Sequence, residues 1–109
     1  MKRYCLALDL KDDKELIDEY EQLHTQVHPA IISSITDAGI TVMDIYRTGN
    51  RLFMIMETED NFSFATKDAM DAANPLVQEW EQKVWKYQQA LPHAKPGEKW
   101  VLMEQIFEL

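Results

Sequence analysis

The spacing of apolar residues switches between a period of two and a period of about 3.6, and each switch marks an element. Residues 3–10 alternate Tyr4, Leu6, Leu8 and Leu10 against Cys5, Ala7 and Asp9, which predicts a strand with one strongly apolar face. Leu16, Tyr20, Leu23 and Val27 then recur at helical spacing. They predict a helix capped by Asp12 or Asp13, supported by Glu15 and running to about Gln26. Pro29 disfavours helical geometry at His28 but suits the first position of a new helical turn. Ala30 to Ala38 continue helically, and Gly39 is the stop.

Two strands follow, Ile40–Arg47 and Arg51–Thr58, joined by Thr48-Gly49-Asn50, where the Gly-Asn pair signals a hairpin. Apolar residues occupy both faces of each: Met43 and Ile45 oppose Val42 and Tyr46, and Phe53 and Ile55 oppose Leu52, Met54 and Met56. An antiparallel sheet with one wet face alternates more cleanly. Something besides this chain's own helices must therefore cover the second face. A second helical region is expected from a cap at Asp60 or Asn61 to about Ala73, reset by Asn74-Pro75. Leu76, Trp80, Val84, Tyr87 and Leu91 form its stripe, Leu91-Pro92 ends it, and Pro96-Gly97 turns into a last strand, Trp100 to Leu109.

Strand, helix, strand, strand, helix, strand is the ferredoxin-like split βαβ order. It predicts one α+β domain over residues 1–109, a four-stranded antiparallel sheet with helices on one face. The apolar second face predicts pairing with another sheet in a two-fold homodimer, a dimeric α+β barrel, with space for a small ligand between the sheets.

Composition narrows the partners. Nineteen acidic against eleven basic residues give a net charge of −8 with no basic run, which argues against nucleic acid and against an anionic membrane. No apolar stretch approaches the ~20 residues of a membrane span, and the apolar start after Met1-Lys2-Arg3 is cut short by Asp9 and Lys11-Asp12-Asp13, unlike a signal peptide. A cytoplasmic protein is expected. The single cysteine, Cys5, has no internal disulfide partner.

The candidate chemistry centres on Tyr20 and His24, four residues apart and so about 40° from each other on one helix face. The plainer reading is a core tyrosine beside a surface histidine. The sharper one makes His24 a half-sheltered general acid or base and Tyr20 a hydroxyl that orients a polar substrate. His24 and His28 share a metal-binding spacing, but a metal there needs a further ligand nearby and no HExxH glutamate lies between them, so no metal is expected. Trp85 points away from the Trp80–Val84 stripe, as a subunit contact, a ligand contact or an extension of the core would. The six methionines are scattered and read as core filler. No phosphate-cradling glycine loop, CxxC pair or serine-nucleophile motif is present.

Taken in order, the opening strand, Glu19-Tyr20 with His24, Gly39 through Tyr46, Trp85-Lys86-Tyr87 with Leu91-Pro92, and Glu104-Gln105-Ile106-Phe107 resemble the L-rhamnose mutarotase family. The resemblance covers nearly the whole chain. It implies a dimeric ferredoxin-like fold holding its ligand between sheet and helix. It implies interconversion of the α and β anomers of a 6-deoxy sugar without cofactor or metal. It makes His24 the proton donor and Tyr20 and Trp85 substrate contacts. Two positions depart from the rhamnose-type pattern: Met43 stands where a pocket tyrosine is expected, and Val84-Trp85 where the family has two tryptophans. Both sit in the implied pocket wall, and both bear on which sugar is preferred, L-fucose competing with L-rhamnose. The base is open, with Glu104 or a water as candidates. A non-catalytic ligand-binding module on the same dimer is the rival reading, and an oxygen- or haem-using enzyme a more distant one, since fold alone does not separate them.

Overall fold

The computed structural model describes residues 1–109. The chain runs β1 (Lys2–Leu10), α1 (Lys14–Leu23), α2 (Pro29–Asp37), β2 (Ile40–Thr48), β3 (Arg51–Thr58), α3 (Phe64–Ala72), α4 (Pro75–Trp85), β4 (Gln88–Gln89) and β5 (Val101–Leu102). The ferredoxin-like order is present, with each helical layer broken in two. Strands lie antiparallel in the order β2-β3-β1, and the fourth position beside β1 is shared by β4 and β5.

Local chemistry accounts for the breaks. Asp13 caps α1, its Oδ1 accepting from the amides of Glu15 and Leu16 at 3.0 and 3.2 Å. This helix stops at Leu23 rather than near Gln26. The side chains of His24 and Thr25 turn back on its last carbonyls, those of Tyr20 and Gln22. His28 then starts α2 as its N-cap, its Nδ1 accepting from the Ala30 amide at 3.0 Å, with Pro29 at the first position. Ser63, not Asp60 or Asn61, caps α3. Phe62 is thereby left outside the helix and buried. Asn74 caps α4 and Pro75 opens it, as expected.

Gly49, at φ 55, supplies the left-handed first position of the two-residue hairpin loop between β2 and β3. A bulge at Thr41 lets Ile40 and Met43 face the same side of the sheet. That side carries Leu6, Leu8, Leu10, Leu52, Met54 and Met56, all buried under the helices. The other side carries Cys5, Ala7, Val42, Tyr46, Phe53 and Ile55, and no element of this chain covers it. Tyr46 is 57 % exposed there.

Two stripes shift from their expected phase. In α1 the buried positions are Ile17 and Tyr20, with Leu16 and Leu23 at the margin. In α4 they are Val77 and Val84, leaving Leu76 about half exposed. The last strand is also shorter than Trp100 to Leu109. After Val101–Leu102 the Met103 amide still reaches the Cys5 carbonyl at 2.8 Å, and then the chain leaves β1. Ile106, Phe107 and Leu109 stand exposed, and the edge of β1 at Lys2–Tyr4 is left without a strand on that side.

Candidate active site

A cavity of about 990 Å³ lies between the helix-facing side of the sheet and the helices. That is at the upper end of the range for small-molecule sites. Its floor is Leu6, Met43, Ile45, Met54 and Met56; Val27, Ile31, Ile35, Trp80 and Val84 close it from the helical side. The space sits under the helices rather than between two sheets. Tyr20, His24 and Ile45 also line a smaller cleft of about 430 Å³ with Glu21, Tyr46, Arg47 and Leu52. Tyr20 and His24 thus stand on the wall between two openings. An ion pair from Arg47 to Glu21 spans the outer cleft.

The histidine is aimed by the way α1 ends. The His24 amide bonds the Glu21 carbonyl at 3.1 Å, a tightened last turn, so the Tyr20 carbonyl loses the amide partner four residues on. The His24 ring takes its place, Nδ1 lying 2.9 Å from that oxygen. A carbonyl can only accept, so Nδ1 must carry a hydrogen. Nε2 is then the nitrogen left for exchange with a ligand. Tyr20 packs beside the ring at 4.5 Å between centroids, and Trp80 meets it edge-on at 5.5 Å. His28 serves α2 instead, so the two histidines face different tasks.

Tyr20 is buried, 4 % exposed, and its hydroxyl accepts a hydrogen bond from Gln88 Nε2 at 3.2 Å. Burial pushes its phenol above the ordinary tyrosine value and the Gln88 bond pulls partly back, so the group stays protonated through neutral pH. With its oxygen accepting from Gln88, its own hydrogen is free to donate toward the cavity.

Of the expected site residues, Tyr20, His24, Met43 and Val84 all line the cavity. Trp85 does not. One residue beyond the inward Val84, it is turned about 100° around α4, is 38 % exposed and lies under the Lys99 ammonium, 5.2 Å from its ring centre. The tryptophan beside His24 is Trp80, which the sequence placed in the core stripe. Glu104 lies in the exposed tail and lines neither opening. Gln88 was missed altogether. Helical periodicity carried through Tyr87 and Leu91 puts it on the polar face, but α4 ends at Trp85 and the chain becomes extended. Pairing with Leu10 then turns Gln88 inward.

A ferredoxin-like sheet, helices on one face and a cavity beneath them with a phenol and an imidazole in its wall define a class: small α+β proteins that work on small molecules. The sequence profile of L-rhamnose mutarotase matches residues 3–109, and the chain belongs to that family of sugar anomer-interconverting isomerases. It is 43% identical, over 111 residues, to an L-fucose mutarotase of Xanthomonas campestris pv. campestris; the match spans 100% of this chain and 89% of that protein. The fold is similar to the crystal structure of an L-rhamnose mutarotase from Formosa agariphila, with a TM-score of 0.73 at 18% identity over 100% of this chain and 99% of that one. It is also similar to tetracenomycin F2 cyclase of Streptomyces glaucescens, with a TM-score of 0.64 at 17% identity over 100% and 97% of the chains. No helix is long and apolar enough to cross a membrane.

Proposed function

We propose that this chain interconverts the α and β anomers of a 6-deoxyhexose, with His24 as the proton donor and Tyr20 as the hydroxyl that holds the sugar. The observation that carries this reading is the contact between His24 Nδ1 and the Tyr20 carbonyl, which commits Nδ1 as a donor and leaves Nε2 for the substrate. Protonated Nε2 hands its hydrogen to the ring oxygen as the bond from that oxygen to C1 breaks. The anomeric hydroxyl loses its proton to water, giving the open aldehyde. After rotation about C1–C2 the freed hydroxyl attacks the other carbonyl face. Its proton returns to Nε2, and the carbonyl oxygen regains one from water. Anomer exchange proceeds slowly in water alone, so the roughly 10²–10⁴-fold that general acid–base catalysis supplies is enough.

Two sugars follow from the relatives. L-Rhamnose is the substrate named for the family profile, and L-fucose the one named for the Xanthomonas relative. The apolar Met43 and Val84 in the wall support a pocket read by few polar groups. The uncovered sheet face, with Val42, Tyr46, Phe53 and Ile55 on it, supports a homodimer built sheet to sheet. A cytoplasmic location fits the acidic, span-free chain. The test is NMR saturation transfer between the anomers of L-fucose, L-rhamnose and D-glucose. Catalysed exchange on a 6-deoxyhexose is expected; binding without exchange on every sugar would favour the ligand-binding module instead.

A further inference from the structure

Gln88 is a buried polar residue that the proposed reaction does not use. It is 5 % exposed, it lines the cavity, and its place is set by the backbone pairing of Gln88 with Leu10 at the edge of β1. Its amide Nε2 is committed to the Tyr20 hydroxyl at 3.2 Å. Its Oε1 has no partner in the protein, yet it is not among fully buried unsatisfied atoms, so this oxygen keeps some accessible surface on a residue that lines the cavity. Val84, Trp80 and Met43 line the same cavity.

We propose that Gln88 is a specificity-determining residue, its open carbonyl oxygen paired with the Tyr20 hydroxyl so that one acceptor and one donor together read two adjacent hydroxyls of the sugar. The inference rests on the mutarotase reading and deepens it. The pair has a fixed sense. Gln88 donates to Tyr20, so the tyrosine hydrogen is available to donate, and the Gln88 oxygen supplies an acceptor beside it. Adjacent cis hydroxyls present a donor and an acceptor close enough to meet both groups at once. In L-fucose the cis pair is at C3 and C4; in L-rhamnose it is at C2 and C3. A fixed donor–acceptor couple at one place on the wall therefore tells the two sugars apart, because only one of them brings its cis pair there while its ring oxygen faces His24. A pocket that commits buried polar groups to a hydroxyl pattern penalises the sugar lacking it.

The test compares wild type with Gln88→Met and Gln88→Glu, each confirmed folded by its thermal transition and its NMR spectrum. Catalysed anomer exchange is measured on L-fucose and L-rhamnose across a range of sugar concentrations. Gln88→Met keeps the side-chain length and removes both polar groups. It should raise KM for the preferred sugar about tenfold, leave kcat within a few-fold, and shrink the ratio between the two sugars. Gln88→Glu turns the Tyr20 hydroxyl toward its new carboxylate and should also lose the discrimination. A merely structural role would lower both sugars alike and leave their ratio unchanged; that result, or an unchanged KM in both folded variants, overturns the inference. Absence of exchange by the wild type on both sugars overturns the mutarotase reading itself, and this inference with it.

Discussion

The imidazole of His24 is hydrogen-bonded, 2.9 Å from Nδ1, to the carbonyl of Tyr20, the residue one helical turn before it. The contact exists because α1 tightens at its end and frees that carbonyl. Helix termination and the aim of the proposed acid are one event. In the neutral ring the hydrogen sits on Nδ1, so 15N-detected NMR of the histidine side chains should find a His24 with Nδ1 protonated and Nε2 bare. A neutral His24 with its hydrogen on Nε2 would break the link between the helix end and the chemistry.

The same helix is held at its other end by Asp13, whose carboxylate accepts from two first-turn amides. Asp13→Ala should cost about 1 kcal/mol in urea unfolding. The variant should also fray the first turn of α1, visible as faster amide exchange in residues 15–17.

Tyr20 makes stability depend on alkaline pH. Its folded value is raised by burial above the ordinary 10.0, so the folded state holds the proton more tightly than the unfolded chain. The resulting stabilisation is complete below that ordinary value and is lost as pH climbs through the raised one. Tyr20→Phe should flatten the fall in stability above about pH 10. The comparison needs only denaturation midpoints at a few alkaline pH values. An unchanged slope would place the phenol in water.

Leu8 is wholly buried at the centre of β1, on the helix-facing side of the sheet. Leu8→Ala should destabilise by about 2–5 kcal/mol, the range for emptying a well-packed leucine site. On the opposite face Ile55→Lys should leave the fold intact while converting the proposed sheet-to-sheet dimer to a monomer, as read by sedimentation velocity. A wild type that sediments as a monomer would remove the sheet-to-sheet assembly.

Much of this was legible in the residue pattern. The alternation of Tyr4, Leu6, Leu8 and Leu10, the glycine at the hairpin and the caps at Asp13 and Asn74 lead to the observed topology. Tyr20 and His24 sit together on the cavity wall because helical spacing survives folding. What failed was boundaries, and each failure moved a side chain. Extending the α4 periodicity through Leu91 hid Gln88, since a change from helix to strand reverses which residues face inward. The ending of α1 at Leu23 was obscured because its cause is a pair of side chains, His24 and Thr25, folding back on the last carbonyls. The last strand, expected over Trp100 to Leu109, is limited to Val101–Leu102, and the chain leaves β1 after Met103 although the Lys2–Tyr4 edge is open.

The most direct test of the account is His24→Ala, assayed by saturation transfer between the anomers of L-fucose and L-rhamnose. The variant should keep the wild-type fold by NMR and lose catalysed exchange to the level of buffer alone. Exchange persisting near the wild-type rate in a folded His24→Ala protein would contradict the claim that this imidazole delivers the proton.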